Sequence, residues 1–164
     1  MRNVFDQYQQ PENRLTHVLA CTLSADRALL IPFLRWLGVK HIPPVARLRI
    51  VEQQVPGAEV SGDEEEGRGL PDTCIADADG WAVLFECKVQ AGINADQIRR
   101  HIATARRHGY DGAPVVLLSV DPPTRALPDG VIARQWREVY ATNGRHDAGF
   151  ATTLAERIDQ DPQR

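Results

Sequence analysis

The sequence predicts an α/β domain in which helices flank a central mixed β-sheet. Residues 72–78 and 81–89 are strand-like runs on either side of Asp79-Gly80, a dipeptide typical of hairpin turns. Residues 94–108 then show helical periodicity, and residues 114–120 are continuously apolar, as expected for a crossover helix leading to a buried parallel strand. An antiparallel hairpin and a parallel crossover make the sheet mixed, with an α-β-β-β-α-β core.

Length and composition set the limits of this prediction. The chain has 164 residues, 43% of them hydrophobic and 25% charged, which suits one domain with a sizeable core. We expect that domain to span residues 1–158 and residues 159–164 to be a frayed tail. No apolar run reaches the roughly 18 residues of a membrane span, and the N-terminus lacks a signal-peptide core, so we expect a cytoplasmic protein without a membrane partner.

The N-terminal third predicts two helices and a strand. Apolar residues recur at helical spacing over residues 11–23, with Pro11 suited to the first turn. Pro32 interrupts the apolar pattern that follows, so we expect a break there and a second helix ending at Gly38. Residues 46–55 alternate apolar and polar side chains, which predicts a half-buried strand.

An acidic, glycine-rich segment separates this strand from the hairpin. Residues 57–69 carry no periodicity, so we expect a mobile loop. The acidic run from Asp63 to Glu66 could bind a metal ion, but a solvated loop is the favoured interpretation. After the crossover strand, Val131-Ile132 predicts a short strand, and residues 135–141 and 149–158 predict helices.

The cysteines and isolated histidines give no ligand pattern. Cys21, Cys74 and Cys87 are odd in number, lack metal-ligand spacing and stand in apolar runs, so we expect buried free thiols. Three of the five histidines stand alone in the sequence and are interpreted as structural or surface residues: His17, His41 and His146.

The hairpin turn decides which side chains meet. On a regular strand Glu86 and Lys88 share one face, because side chains alternate with a period of two. A two-residue turn would place Asp72 opposite Cys87, on the other face. A three-residue loop of residues 78–80 with a left-handed glycine would pair Asp72 with Glu86. We predict this second register, or a bulge of equal effect.

Two carboxylates and a lysine brought together in this way can hold a hard divalent cation beside a phosphate. Without a cation, carboxylates about 4–5 Å apart repel by roughly 1–4 kcal/mol, so the cluster makes little sense as a purely structural feature. The structural alternative for Glu86 and Lys88 is an ordinary charge pair on a solvent-facing strand. Leu84, just before them on the same face, predicts that this face is covered, which favours a functional site.

This order of elements and residues resembles the PD-(D/E)XK nuclease superfamily, which has the restriction-endonuclease-like fold. The resemblance covers residues 12–120, and the opening ENRLTHVL is similar to bacterial members. The matching residues are Pro71 and Asp72, then Glu86-Cys87-Lys88, then Gln97 on the following helix and Glu12 on the opening helix.

The resemblance implies a metal-dependent endonuclease that hydrolyses phosphodiester bonds, with DNA as the expected partner. Asp72, Glu86 and the backbone carbonyl of Cys87 would bind Mg²⁺, for which Mn²⁺ could substitute. Lys88 would contact the attacking water or the phosphate. Gln97 would orient Lys88, the water or the nucleic acid, and Glu12 would support a second metal or an outer water. The alternatives are a helix cap for Gln97 and a favourable charge at a helix start for Glu12.

A basic patch on the crossover helix is the candidate nucleic-acid surface. It contains Arg99, Arg100, Arg106 and Arg107, with His101 and His108. A solvated helix face explains the same charges. The net charge of −3 argues against binding nucleic acid through bulk electrostatics. The rival interpretation is therefore a catalytically silent binding or protein-interaction module, and the sequence leaves open a homodimer or a partner domain that supplies basic surface.

Overall fold

The computed structural model describes residues 11–53, 70–90 and 92–141. The predicted loop 57–69, the predicted helix 149–158, the tail 159–164 and His146 lie outside these ranges. The described part is an α/β structure with one five-stranded sheet and helices packed against it.

The sheet is mixed, as the sequence predicts. Its strands lie in the order β1-β2-β3-β4-β5, the first three antiparallel and the last three parallel. Their bounds are β1 Arg49–Glu52, β2 Thr73–Ala76, β3 Ala82–Lys88, β4 Val115–Ser119 and β5 Val131–Gln135.

The opening helices confirm the predicted pair but correct the position of the break. Helix α1 spans Pro11–Ala25 and α2 spans Leu30–Leu37, with left-handed Gly38 closing it at φ 87°. The chain breaks at Asp26, whose side chain accepts the N–H of Ala28 and starts a 3-10 turn. Pro32 lies in the first turn of α2, where a missing N–H costs no hydrogen bond. The break predicted at Pro32 is therefore wrong.

The first strand is shorter than residues 46–55. The chain forms a 3-10 turn at Val45–Arg47 before β1 begins. Arg27 holds that turn, since its guanidinium donates to the carbonyls of Val45 at 2.7 Å and Leu48 at 2.6 Å. Gln53, at φ 51°, ends the extended run.

The crossover and the last elements follow the prediction. Helix α3 spans Ala95–Arg107, and Asn94 caps it by accepting the N–H groups of Asp96 and Gln97. Strand β4 is buried along its whole length, and α4 spans Trp136–Ala141.

Two apolar clusters cover the two faces of the sheet. Under α1 and α2 lie residues such as Leu19, Leu34, Phe85 and Val116. Between α3 and the sheet lie residues such as Cys74, Leu84, Ile98, Ala105 and Val115. The strand β3 thus sends Phe85 and Cys87 to one cluster and Leu84 to the other, and Leu84 marks the covered face that carries Glu86. Cys74 and Cys87 are buried as predicted, whereas Cys21 is partly exposed, so the prediction that it is buried is wrong.

Within the described ranges, no single helix has the length and apolar character needed to cross a membrane. Residues 13–25 and 27–37 reach that length and composition only as a pair bent by 102°.

Candidate active site

The hairpin turn has the predicted three-residue form. The N–H of Asp77 donates to the carbonyl of Trp81 at 2.9 Å, which leaves residues 78–80 as the loop. Gly80 is left-handed at φ 91°, a conformation that favours glycine. The carboxylate of Asp77 accepts the N–H groups of Asp79 and Trp81, both at 2.9 Å, and so fixes the turn.

This turn sets the register that brings the carboxylates together. Thr73 pairs with Phe85 and Ala76 with Ala82. Continuing the register by one residue places Asp72 beside Glu86. The predicted three-residue register is confirmed.

The backbone bends at Asp72. Its N–H donates to the carbonyl of Phe85 in β3 at 3.0 Å, while its own carbonyl accepts the N–H of Gln53, just beyond β1, at 3.0 Å. A residue in a regular strand directs both groups to one neighbour. Because of the bend, the Asp72 carboxylate reaches β3, and its Oδ2 accepts the N–H of Cys87 at 2.7 Å.

Glu86 is the buried centre of the site, with 1% of its side chain exposed. Its Oε2 lies 2.7 Å from Nε2 of His101, which is fully buried. Its Oε1 lies 2.5 Å from Nζ of Lys88. That contact is an ion pair by distance, but its angle is not that of a hydrogen bond, so Oε1 is buried without an aligned donor.

The two carboxyl groups differ in their affinity for protons. Burial raises the pKa of Asp72 to about 6, and the nearby charge of Glu86 adds to the rise. The Cys87 N–H and the charges of Lys88 and His101 lower this pKa, but burial and Glu86 outweigh them. Burial alone would also raise the pKa of Glu86. The His101 hydrogen bond and the adjacent Lys88 ammonium outweigh it, so the pKa of Glu86 lies below its usual range. Of the two carboxyl groups, Asp72 is therefore the one that takes up a proton at the higher pH.

His101 is the site residue that the sequence interpretation missed. It was grouped with the surface arginines, but it is 0% exposed and contacts Glu86. Its position carried a usable signal, because it lies three residues after buried Ile98 and four before buried Ala105. A polar side chain on a buried helical stripe needs a polar partner.

The other predicted site residues occupy varied positions. Gln97 is half-buried one helical turn before His101, and its backbone N–H takes part in the Asn94 cap. Glu12 belongs to the first turn of α1, and its side chain lies outside the described part of the chain. The Cys87 side chain is fully buried on the opposite face of the sheet, as expected.

A groove of about 760 Å³ opens beside Lys88. It lies between the start of α3 and the segment that follows β4, and Arg99 and Arg125 are among its lining residues. The arginines of the predicted basic patch lie at both ends of α3, and only part of the patch lies at the groove. Arg99 pairs with Asp96 at 2.6 Å at the groove, whereas Arg106 lies 3.7 Å from Asp111 at the other end of α3.

Arg100 and Arg107 complete the patch. Both are exposed, and the Arg107 guanidinium donates to the hydroxyl of Thr104 at 3.0 Å. Of the four predicted arginines, Arg99 alone lines the groove.

Comparison of the chain with family models, with curated proteins and with solved structures finds no match. The functional interpretation therefore rests on the residues and their geometry.

Asp72, Glu86 and the Cys87 carbonyl are the candidate ligands for a divalent cation. Across the described ranges, no three His, Cys, Asp or Glu side chains converge as a ready metal site. The chemistry of the cluster nevertheless suits a hard cation, because Glu86 Oε1 is buried without an aligned donor and the pKa of Asp72 is raised beside a second carboxylate. The Cys87 carbonyl adds an oxygen on the same side, since its N–H already faces Asp72.

Proposed function

We propose that this chain is a Mg²⁺-dependent nuclease of the restriction-endonuclease-like fold that hydrolyses phosphodiester bonds in DNA. The observation that carries the proposal is the meeting of Asp72, Glu86 and Lys88 at the end of the hairpin, next to a groove. Burying two carboxylates beside a lysine lowers the free energy of unfolding, so such a cluster suggests a functional site.

The order of elements supports the same proposal. Helix α1 precedes an antiparallel β1-β2-β3 unit, and α3 then crosses to the parallel strand β4. This is the order that the PD-(D/E)XK resemblance implies. Asp72 and Glu86 stand at the positions where that resemblance puts the acidic residues.

Asp72, Glu86 and the Cys87 carbonyl would hold the metal. When bound, Mg²⁺ supplies Lewis acidity at the phosphate and a lowered pKa for an attacking water, and Mn²⁺ supplies the same chemistry. Two carboxylates provide the negative charge that such a cation requires.

Lys88 neutralises charge on the substrate. Its side chain is 14% exposed and lies at the edge of the groove, so its ammonium is shielded from bulk water yet within reach of a ligand there. An ammonium in a partly dry site stabilises developing negative charge on a phosphate oxygen more strongly than it would in water.

His101 is a positioning residue. Its hydrogen bond to Oε2 fixes the orientation of the Glu86 carboxylate and leaves Oε1 facing Lys88. Such second contacts commonly set the geometry of ligating carboxylates. Gln97 orients Lys88 or the nucleic acid from the same helix, and Glu12 supports an outer water.

The nucleic acid approaches along the groove. Arg99 lies there, and Arg100 is exposed on the same helix, so both suit phosphate contacts. Arg106 and Arg107 extend the basic surface toward the far end of α3. With a net charge of −3, affinity depends on this local surface.

A catalytically silent binding module of the same fold is the second candidate. The observation that favours it is the neutralisation of Glu86 by its own neighbours, since both carboxylate oxygens already face a cation or a hydrogen-bond donor. In that case the cluster would be an internal ion pair, and the groove would bind without cleaving. A homodimer or partner domain would then supply further basic surface.

Incubation with DNA separates the two candidates. Supercoiled plasmid and single-stranded DNA are incubated with the protein in Mg²⁺, Mn²⁺ or EDTA. The nuclease proposal expects metal-dependent cleavage that falls by about 100-fold or more in Asp72→Ala and Lys88→Ala. Lys40→Ala, an exposed lysine away from the groove, is the matched control and keeps parental activity.

Other outcomes would reject the nuclease proposal. Binding of DNA without cleavage supports the silent module. Equal cleavage by the parent, Asp72→Ala and Lys88→Ala means that the activity comes from elsewhere.

A further inference from the structure

The second wall of the groove carries an arginine that the sequence interpretation did not single out. The start of α3 forms one wall, and residues 120–127, which follow β4, form the other. Arg125 belongs to this second wall and is exposed. Arg99 belongs to the α3 wall, so the groove beside Lys88 has a guanidinium in each wall.

The cations of the groove differ in how far carboxylates already engage their charge. Lys88 forms an ion pair with a buried carboxylate, and Arg99 pairs with Asp96 at 2.6 Å. Asp121 is the other carboxylate of the groove lining. Among the residues that the structure describes, neither it nor any other carboxylate forms an ion pair with Arg125. A phosphate that binds Arg125 therefore displaces no carboxylate of the described chain.

Hydrogen bonds hold the second wall where it leaves the sheet. The N–H of Val120 donates to the carbonyl of Lys88 at 3.2 Å, and the carbonyl of Val120 accepts the side-chain amide of Gln135 at 3.1 Å. The hydroxyl of Ser119 donates to the carbonyl of Asp121 at 2.7 Å. The start of the wall is thus tied to β3, which carries Lys88, and to β5, which ends at Gln135.

The far end of the wall is anchored by packing. Leu127 is partly buried and packs against the apolar cluster between α3 and the sheet. Arg125 lies two residues before it, so the exposed guanidinium belongs to a short segment that is held at both ends. A side chain on a segment held in this way loses less conformational freedom on binding than one on a mobile loop.

We propose that Arg125 is a phosphate-binding residue of the groove, so that the nucleic-acid backbone passes between Arg99 and Arg125 and past Lys88. This inference rests on the proposed nuclease function and adds the second wall to its binding surface. A guanidinium can donate two parallel hydrogen bonds to phosphate oxygens. Phosphate contacts set the position of a strand, so two arginines in facing walls direct the backbone toward the lysine. Gln135 is a positioning residue that acts through the carbonyl of Val120.

Fluorescence anisotropy of a labelled DNA oligonucleotide in EDTA tests the proposal, because it measures binding without cleavage. Arg125→Ala should weaken binding by about fivefold to tenfold and reduce the salt slope by about 1. Arg125→Lys keeps the charge but loses the planar pair of donors, so it should recover part of the affinity. Arg49→Ala, an exposed arginine on the edge strand β1 and outside the groove lining, is the matched control and should bind as the parent does.

Two results would overturn the role of Arg125. One is a loss of affinity in Arg125→Ala that is no larger than the loss in Arg49→Ala. The other is a parent protein that binds no DNA at low salt. Because Arg125 is exposed, its replacement should leave the melting temperature unchanged, which confirms that the variant is folded.

Cleavage kinetics keep this result separate from the nuclease proposal. In an active parent, Arg125→Ala should raise KM by about fivefold to tenfold and change kcat by less than about twofold. If the parent cuts DNA and the variant has the same KM, the role of Arg125 falls and the nuclease proposal stands. If the parent cuts nothing but Arg125→Ala still binds DNA more weakly than the parent does, the role of Arg125 stands and the nuclease proposal falls.

A double variant tests the role of Gln135. Gln135→Met keeps the approximate length of the side chain but removes the donor to the Val120 carbonyl, so it should weaken DNA binding by about twofold to threefold. In the Arg125→Ala background the same change should have no further effect, because Gln135 acts through the segment that carries Arg125. Equal losses of affinity in the two backgrounds would overturn this role of Gln135.

Discussion

In the part of the chain that the structure describes, a histidine–glutamate pair lies on each face of the sheet, and the two pairs differ in burial and in their third member. His101 and Glu86 are 0% and 1% exposed, with their polar atoms 2.7 Å apart. His17 and Glu52 are 16% and 29% exposed, with a separation of 3.0 Å. The first pair meets a lysine and a second carboxylate, and the second meets a thiol.

The same histidine–glutamate contact depends on its surroundings in the two places. Under α3 the protein excludes water, so Glu86 keeps its charge only because His101 and Lys88 surround it. Under α1 the pair is partly exposed, so water screens the contact between His17 and Glu52. The buried pair therefore fits the proposed nuclease site, whereas the second pair is a partly exposed contact on the other face of the sheet.

The largest expected difference between the two pairs is in DNA cleavage. Glu86→Gln keeps the size of the side chain but removes the charge that would hold the cation, so cleavage in Mg²⁺ should fall by about 100-fold or more. Glu52→Gln makes the same change in the other pair and should alter cleavage by less than about twofold. Initial rates of plasmid nicking measure both. Equal losses in the two variants would show that the pairs are not functionally distinct.

Stability should separate the pairs next. His101→Ala leaves Glu86 buried without its donor, which costs about 3 kcal/mol and lowers the melting temperature by roughly 6–12 °C. His17→Ala removes a partly exposed contact worth about 0.5–1 kcal/mol, or roughly 1–4 °C. His101→Gln should recover part of the loss, because its amide can donate to Glu86. Thermal melts that give equal losses for the two alanine variants would contradict the difference in burial.

Removal of charge at Asp72 should stabilise the metal-free protein. The pKa of Asp72 is raised from 3.8 to about 6 in the folded state, so the folded protein holds this proton more tightly than the unfolded chain. The stability that protonation contributes is complete below about pH 4 and is lost as the pH rises through about 6.

Asp72→Asn should therefore melt higher than the parent at pH 8 in EDTA. A penalty of about 1–2 kcal/mol, discounted for partial exposure of the carboxylate, corresponds to roughly 2–8 °C. The difference should shrink as the pH falls to 4. An unchanged or lower melting temperature at pH 8 would argue against clustered carboxylates. Asp129→Asn, an exposed carboxylate after β4, is the control and should not change the melting temperature.

The smallest expected effect is that of arginine variants on DNA binding. Arg99 lines the groove beside Lys88, so Arg99→Ala should weaken DNA binding by about twofold to fivefold and reduce the salt slope by about 1. Arg106→Ala, at the other end of α3, should have a smaller effect, and Arg137→Ala on α4 should have none. Fluorescence anisotropy in EDTA, at several salt concentrations, measures all three. A larger loss for Arg106→Ala would move the binding surface away from the groove.

Local rules were sufficient to predict much of the site from the sequence. The choice between a two-residue and a three-residue turn depends on Gly80 and its neighbours, and that choice sets the register in which Asp72 lies beside Glu86. The buried strand β4, the Asn94 cap and the end of α2 at Gly38 likewise follow from short patterns. Each of these features depends on residues close together in the chain.

Some features that the sequence did not reveal depend on distant contacts, and others on local signals that compete with one another. Glu52 is 35 residues from His17, and no periodic pattern links a helix face to the end of a strand in another element. His101 was assigned by the charge of its neighbours, although its helical position pointed to the core. The chain breaks at Asp26 because the side chain of this residue caps the 3-10 turn that follows. Pro32 does not cause the break, since a proline is tolerated in the first turn of a helix.

A time course of plasmid cleavage is the decisive test of the proposed metal-dependent nuclease site formed by Asp72, Glu86 and Lys88. Parent and Asp72→Ala proteins purified in parallel are incubated with supercoiled DNA in Mg²⁺, with EDTA as the blank. We expect nicked and linear products from the parent in Mg²⁺ but not in EDTA, and almost none from the variant. Plasmid left intact by the folded parent in both Mg²⁺ and Mn²⁺, or cut equally by both proteins, would contradict it.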